Sequence, residues 1–449
     1  MSKNKNELMS LPGAIFTGIG SAIGVALVAY IGFVIAGAGK ASIISILIGL
    51  LIGLGAGMPV YFLSRRTVIK GATAGLIELG LGKTSAAFYG YTMLVTIAML
   101  STYPVSVANY IVSVFPSLGG HVQLISMAIL VLSIAVLCFG VKLFENVSKI
   151  FTVLLLLGLT VFTLLGLVHI VKNGINPFDF SGDPIFAKNG MNGVLAGVPL
   201  FAATCSGFVN IAYMAPMVKE PKKNVPKAVL CACGAMSFFW IFLTIVEANV
   251  LPVEEVAGQP LTFVARALMP EWMAVFFALT GPTMAILTTY IPGMPIIAGS
   301  IGLNAARGML PKFLAPQKNS SGLDRNIFLF IGGVTAVILL FNLPVNTVVA
   351  NIAPCTSFGV LLSAVAHIGI SFRRADLFDN PKDLTVYRVS SIIGAVAGLV
   401  LFILAVRAIT LTSALINIAL IAAAYVFCSW KLGKSSPEKA EDTAGQAAE

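Results

Sequence analysis

Apolar residues in this chain gather into long runs, without the alternating pattern of strands in a soluble sheet. A bilayer-spanning helix needs about 20 mostly apolar residues. Twelve runs of that kind, bounded by charge, proline or glycine clusters, can be marked: 11-36, 41-64, 85-115, 121-142, 147-171, 193-217, 227-251, 272-301, 326-344, 347-371, 388-408 and 411-431. Most of the segments between them are too short to fold alone. Lys3 and Lys5 precede the first run as in a signal peptide. That run, however, outlasts an h-region of about 7-15 residues and carries Pro12 early, so it reads as a retained helix. The pattern predicts an all-α membrane protein with 12 transmembrane helices, a short tail over 1-10, and a disordered tail over 432-449 made of small and polar residues.

Composition supports the same class. The chain is 58% hydrophobic and 10% charged, with a mean hydropathy of +0.96, whereas soluble domains carry roughly 25% charged residues. So few charges cannot cover a water-facing surface. The net charge of +10 would suggest a nucleic-acid partner if it were evenly spread. It is not: with the N-terminus inside, only Lys40, Lys172, Lys188, Arg266 and Arg407 of the 28 basic residues fall outside. The rest, including Arg65, Arg66, Lys222, Lys223, Arg373 and Arg374, fall on the inner side, where they are most simply topology determinants, with contact to membrane lipid as a further role. Both termini are expected in the cytoplasm, the chain in the plasma (inner) membrane, and no nucleic acid is needed. The six cysteines (138, 205, 231, 233, 355, 428) have neither metal-ligand nor disulfide-framework spacing and read as buried thiols. No HExxH, GxSxG or Walker motif, no repeated filter and no nucleotide-binding segment occurs, which argues against an enzyme, a channel and ATP-driven transport.

Two helix-breaking patches lie inside apolar runs. GIGSAIG (18-24) interrupts the first and ATCSGF (203-208) the sixth. Such patches are tolerated at membrane depth only where they line a protein cavity. Their placement fits two inverted five-helix repeats, about 11-171 and 193-371, in a core over 11-371, with helices 11 and 12 (388-431) appended. A broken helix offers unpaired N-H groups and unpaired C=O groups without any charged side chain, and a free amino acid needs both. Its carboxylate is expected on N-H groups around Gly20, Ser21, Ala22, Ile23 and Gly24, and its ammonium against carbonyls near Ala203, Cys205, Ser206 and Gly207. Gly and Ser also permit close helix packing, so each patch alone has a second explanation.

Four segments resemble the amino acid, polyamine and organocation (APC) superfamily of transporters: IGSAIGVALV (19-28), FGVKLFENVSKIFT (139-152), LFAATCSGFVNIAYMAPMVKEPKKNVPKAVL (200-230) and NAARGMLPKFL (304-314). The VKEPKKNVPKA stretch is the most specific. The resemblance implies the leucine-transporter fold, five plus five helices with two more, discontinuous helices 1 and 6, and alternating access. Members that take cationic substrates often carry an acid just after the Gly-Phe of span 6. Here Val209 and Asn210 stand there, which shifts the expectation to a neutral amino acid, since a buried acid costs roughly 2.5-3.5 kcal/mol unless a cation or proton offsets it. Val25 and Ala26 replace the small pair usual after the first break. Tyr103 is placed by the resemblance near the substrate carboxylate, with packing as the alternative.

Coupling is open to two schemes. Ala285, Thr288 and Thr289 resemble the sodium site of that fold, with the carbonyls of Gly20 and Ile23 completing about five neutral oxygens; the hydroxyls also have helix carbonyls as ordinary partners. The lysine that marks many proton-coupled relatives is Leu155 here, and Lys149 lies nearer the cytoplasmic end, where it can reach water. Glu247 is the clear acid inside an apolar run, a proton carrier or a headgroup-level residue beside Glu254 and Glu255. His169 and His367 read as packing residues. The sequence thus predicts a sodium- or proton-coupled secondary transporter of a neutral amino acid, a monomer or homodimer, with an ion-independent exchanger or a carrier of cationic amino acids or amines as the alternatives.

Overall fold

A computed structural model describes residues 8-24, 26-205, 207-316, 323-407 and 411-433. The expected tail over 432-449 lies almost wholly outside these, as do Val25 and Ser206. The helices are α1 (Leu11–Ile23), α2 (Ala26–Ala38), α3 (Ser42–Ser64), α4 (Ala72–Leu81), α5 (Lys83–Leu100), α6 (Thr102–Val114), α7 (Val122–Cys138), α8 (Val141–Lys172) and α9 (Pro184–Thr204). A 3-10 segment, Gly207–Met217, follows. Then come α10 (Pro221–Val250), α11 (Val253–Val256), α12 (Leu261–Leu268), α13 (Glu271–Thr280), α14 (Pro282–Ala306), α15 (Arg325–Leu340), α16 (Val345–Arg373), α17 (Pro381–Arg407) and α18 (Leu411–Gly433). The described residues hold no strand, only an isolated bridge between Met9 and Val218.

Local sequence explains where these helices begin. The Ser10 hydroxyl caps α1 by accepting from the Gly13 N-H at 3.2 Å. Asp183 caps α9, accepting from Ile185 and Phe186 at 3.0 and 3.1 Å, with Pro184 preset for the first turn. Gly140, at φ +102°, makes the sharp turn between α7 and α8 that few L side chains tolerate.

Nine segments among the described residues are long and apolar enough to cross a membrane. The twelve expected spans differ from this count for physical reasons. The first is split and the ninth is the 16-residue α15, while of the twelfth only Asn417–Trp430 falls among the residues that the count covers. Several boundaries also move. Span 5 begins at Val141 and span 7 at Pro221, each six residues earlier than expected, because the polar first turn of a helix is invisible to a hydropathy window. Helices α4, α11 and α12, of 10, 4 and 8 residues, occupy stretches expected to be loops. They are too short to register as spans. One lies between the second and third spans and the other two between the seventh and eighth.

The cysteines need a correction. All six are free thiols, but only Cys205, Cys355 and Cys428 are buried; Cys138 and Cys233 are half-buried and Cys231 is exposed. A helix face toward lipid is apolar without being covered by protein, so hydrophobic surroundings in sequence did not imply burial.

Candidate functional site

Both expected helix breaks are present. Helix α1 stops at Ile23, where Gly24 turns the chain at φ +64° and its N-H makes only a long 3.4 Å bond to the Gly20 carbonyl. The helix resumes as α2 at Ala26. Helix α9 ends at Thr204, with the Cys205 N-H on the Phe201 carbonyl at 2.8 Å, and the chain tightens into the 3-10 segment from Gly207. The breaks face each other: a Cβ on Gly207 would lie 3.4 Å from Ala22 Cα and from the Ser21 oxygen.

The polarity of the first break departs from expectation. Ser21, Ala22 and Ile23 belong to the C-terminal turn of α1, which leaves carbonyls unpaired, whereas unpaired N-H groups belong to the first turn of α2. The anion-accepting end is therefore the start of α2 and of the 3-10 segment. The carbonyl ends are those of α1 and α9.

Helix α14 closes a third side. A Cβ on Gly20 would lie 2.8 Å from Thr288 Cβ, and one on Gly24 would lie 3.3 Å from Thr289 Oγ1. The Thr288 hydroxyl donates to the carbonyls of Met284 and Ala285 at 2.8 and 3.2 Å, and Thr289 donates to Ala285 at 3.0 Å. These bonds use the hydroxyl hydrogens and leave oxygen lone pairs available. Gly20, Ile23, Ala285, Thr288 and Thr289 are thus brought to one region. Thr152 of α8, missed in the sequence, joins them: its hydroxyl donates to the Phe16 carbonyl at 3.0 Å and abuts Gly20. It lies one turn before Leu155, which is fully buried.

The other expected site residues have these surroundings. Tyr103 stacks on Tyr290 of α14, ring centroids 5.5 Å apart and planes within 20°, so its ring is engaged in packing next to Thr289. Cys205 is buried against α3, where a Cβ on Gly53 would lie 2.7 Å from its Cβ. Val209 and Asn210 line a cavity of about 280 Å³ beside the breaks, bounded by α3, α4, α5, α14, α16, α17 and the 3-10 segment. Val209 Cγ1 is 3.0 Å from the Cβ position of Gly57 on the wall of this cavity. The Ser206 position lies outside the described residues, as does the side chain of Ala203.

Among the described residues, charged side chains lie away from the breaks. At the start of α1, Glu145 of α8 is fully buried and accepts from the Ser10 N-H at 3.2 Å, from the Ser10 hydroxyl, from Lys142 at 3.1 Å and from Lys149 at 2.7 Å. Lys149 therefore pairs with an acid and, at 31% exposure, keeps the access to water that the sequence suggested. Met9 also donates to the Met217 carbonyl at 2.8 Å and accepts from the Lys219 N-H at 2.9 Å. The segment before α1 is thereby tied to both α8 and the end of the 3-10 segment. Glu247 is fully buried in protein, with neither carboxyl oxygen hydrogen-bonded among the described residues. In the loop after α14, Arg307 pairs with Glu78; burial pushes its guanidinium down to about 10, still charged at neutral pH.

Comparison with known proteins agrees with this architecture. A family model described as amino acid permease matches residues 9–428. The branched-chain amino acid permease BcaP of Lactococcus lactis subsp. cremoris is 27% identical over 63% of this chain and 61% of its own length. The aligned region thus covers about three fifths of that relative. The methylthioribose transporter of Bacillus subtilis is 25% identical over 81% of this chain and 82% of its own. Among solved structures, MhsT in complex with L-phenylalanine superposes with a TM-score of 0.62 at 14% identity, covering 88% of this chain and 98% of that one. The fold is that of the leucine-transporter type, and relatives and fold alike are those of transporters, not enzymes.

Proposed function

This chain belongs to the amino acid permease family, and we propose that it is a secondary active transporter carrying a neutral amino acid across the plasma membrane by alternating access. The observation that carries the reading is the apposition of the two helix breaks, Gly207 against Ser21 and Ala22. It puts two carbonyl ends and two N-H ends around one point, enough to hold an ammonium and a carboxylate without a charged side chain. Neutrality of the substrate is supported by Val209, which stands where an acid would serve a cationic one, and by relatives named for branched-chain amino acids. A relative named as a cationic amino acid transporter keeps that alternative in view.

For the driving ion, sodium is favoured by five neutral oxygens: the carbonyls of Gly20, Ile23 and Ala285 and the hydroxyls of Thr288 and Thr289. A hard cation prefers such ligands. The second reading, proton coupling, is favoured by Glu247, a fully buried carboxyl without a partner among the described residues. Ion-independent exchange predicts neither dependence. Uptake of a panel of radiolabelled amino acids into proteoliposomes under imposed sodium or proton gradients tests all three. Concentrative uptake of neutral amino acids is the expected result; uptake confined to arginine, lysine or amines would overturn the substrate assignment.

A further inference from the structure

The cavity beside the breaks reaches inward past anything a substrate bound at the breaks can touch. From Gly207 to Tyr213 the 3-10 segment advances about 12 Å, at roughly 2.0 Å per residue. A free amino acid spans about 7 Å, the reach of two residues of extended chain. The inner end is therefore separate space.

That end is built for hydrogen bonding. His367 of α16 is 2% exposed and lines the cavity, its Nδ1 2.8 Å from the hydroxyl of Tyr387 on α17. Tyr387 is itself wedged on Phe378, ring centroids 4.6 Å apart. The imidazole is thus held at one nitrogen, and the other, Nε2, is buried without a partner among the described residues. A buried polar atom left unpaired costs about 1-3 kcal/mol, so such an arrangement suits a site that receives a partner. The Tyr213 hydroxyl and Ser363 Oγ, 3.5 Å apart, line the same end.

Chemistry narrows the ligand. None of the lining residues is Asp, Glu, Lys or Arg, so a net ion would be buried without a counter-charge. Most of the hydroxyls that line it already have protein partners, whereas an acyl chain would leave the buried His367 Nε2 unpaired, so the ligand has to bring a hydrogen-bonding group to the imidazole. A small molecule with no net charge, a polar head and an apolar body remains. We propose that the inner end of this cavity is a second subsite for a neutral amino acid, with His367, Tyr213 and Ser363 holding the polar head and Tyr387 positioning His367. The proposal rests on the transport reading. It adds a second amino acid per chain, held between the breaks and the cytoplasm.

Equilibrium dialysis of the purified full chain with tritiated L-leucine and L-phenylalanine tests it. The expected stoichiometry is two per chain for the wild type and one each for His367→Phe and Gly207→Leu. Should His367→Phe fail to fold, the double variant Tyr213→Phe/Ser363→Ala removes two hydroxyls with little change in volume. It should weaken the second site at least tenfold. A wild-type stoichiometry of one, abolished by Gly207→Leu and untouched by the other variants, overturns the inner subsite and leaves transport intact. Two sites that persist at full affinity in the His367 and double variants overturn it as well. Absence of binding by either amino acid overturns the subsite, and the proteoliposome uptake panel decides the transport reading on its own.

Discussion

Gly207 has room for a methyl group and no more. A Cβ there meets Ala22 Cα and the Ser21 oxygen at 3.4 Å, ordinary contact, so Gly207→Ala should change amino acid affinity less than threefold. Gly207→Leu must push the two breaks apart, and scintillation-proximity binding should weaken at least tenfold while size-exclusion behaviour stays unchanged. Gly24→Leu adds a backbone cost of about 1-3 kcal/mol, since φ +64° with ψ 169° is a region essentially confined to glycine, and should likewise weaken binding at the breaks at least tenfold. Equal affinities for Gly207→Leu and wild type would reduce these glycines to packing. Val209→Glu places an acid on the cavity wall, where the residue is 7% exposed. Neutral uptake should fall at least tenfold, and arginine should become a competitor. Unchanged selectivity would place the selecting residue elsewhere. The break glycines were legible because a cluster of helix breakers in an apolar run has few explanations. Thr152 and His367 were not, because their partners, Phe16 and Tyr387, stand in other helices. A lone threonine or histidine in a hydrophobic run has no local signal.

Helix α1 is anchored at its start by groups far apart in sequence. Ser10 caps the helix and bonds to Glu145, which two lysines neutralise, while Met9 pairs with the chain at Met217 and Lys219. In alternating access the inner half must open, and this junction is what has to part. Removing one member of a buried pair costs about 3-5 kcal/mol because the partner's charge is stranded, although Lys142 and Lys149 here retain access to water, 56% and 31% exposed, so a smaller loss applies. Glu145→Ala should therefore raise hydrogen exchange at the Met9 and Lys219 amides by at least tenfold, or about 1.4 kcal/mol. Lys142→Ala, which removes the more exposed cation, should change it less than threefold. Equal protection in Glu145→Ala would show that the bridge to Met217 alone holds the segment. The sequence placed α8 six residues too late and so gave Glu145 to a loop. Polar residues in the first turn of a spanning helix look like a loop until their partners are known.

At the scale of the whole molecule, what has to be decided is which ion ties the two breaks to the membrane gradient. The fold was readable from twelve apolar runs and two breaks, because the bilayer leaves few ways to satisfy a backbone. The ion was not, because a sodium site of neutral oxygens and an ordinary helix junction use the same atoms. Thr288 and Thr289 bond to Met284 and Ala285 as such residues do in any apolar helix, yet they also stand against Gly20 and Gly24. If sodium couples transport, Thr288→Ala and Thr289→Ala each remove one of about five oxygens that replace the hydration shell. Sodium affinity should then fall at least tenfold, or roughly 1.4 kcal/mol, and amino acid binding at saturating sodium should be largely retained, because coupling between the two ligands is reciprocal. If protons couple it, uptake should persist when choline replaces sodium and collapse with a protonophore, and Glu247→Gln should then abolish concentrative uptake while sparing exchange. Persistence in choline with no effect of the protonophore would reject both ions and leave exchange as the mode of transport. Glu247 would then be a buried carboxyl that the transport cycle does not use.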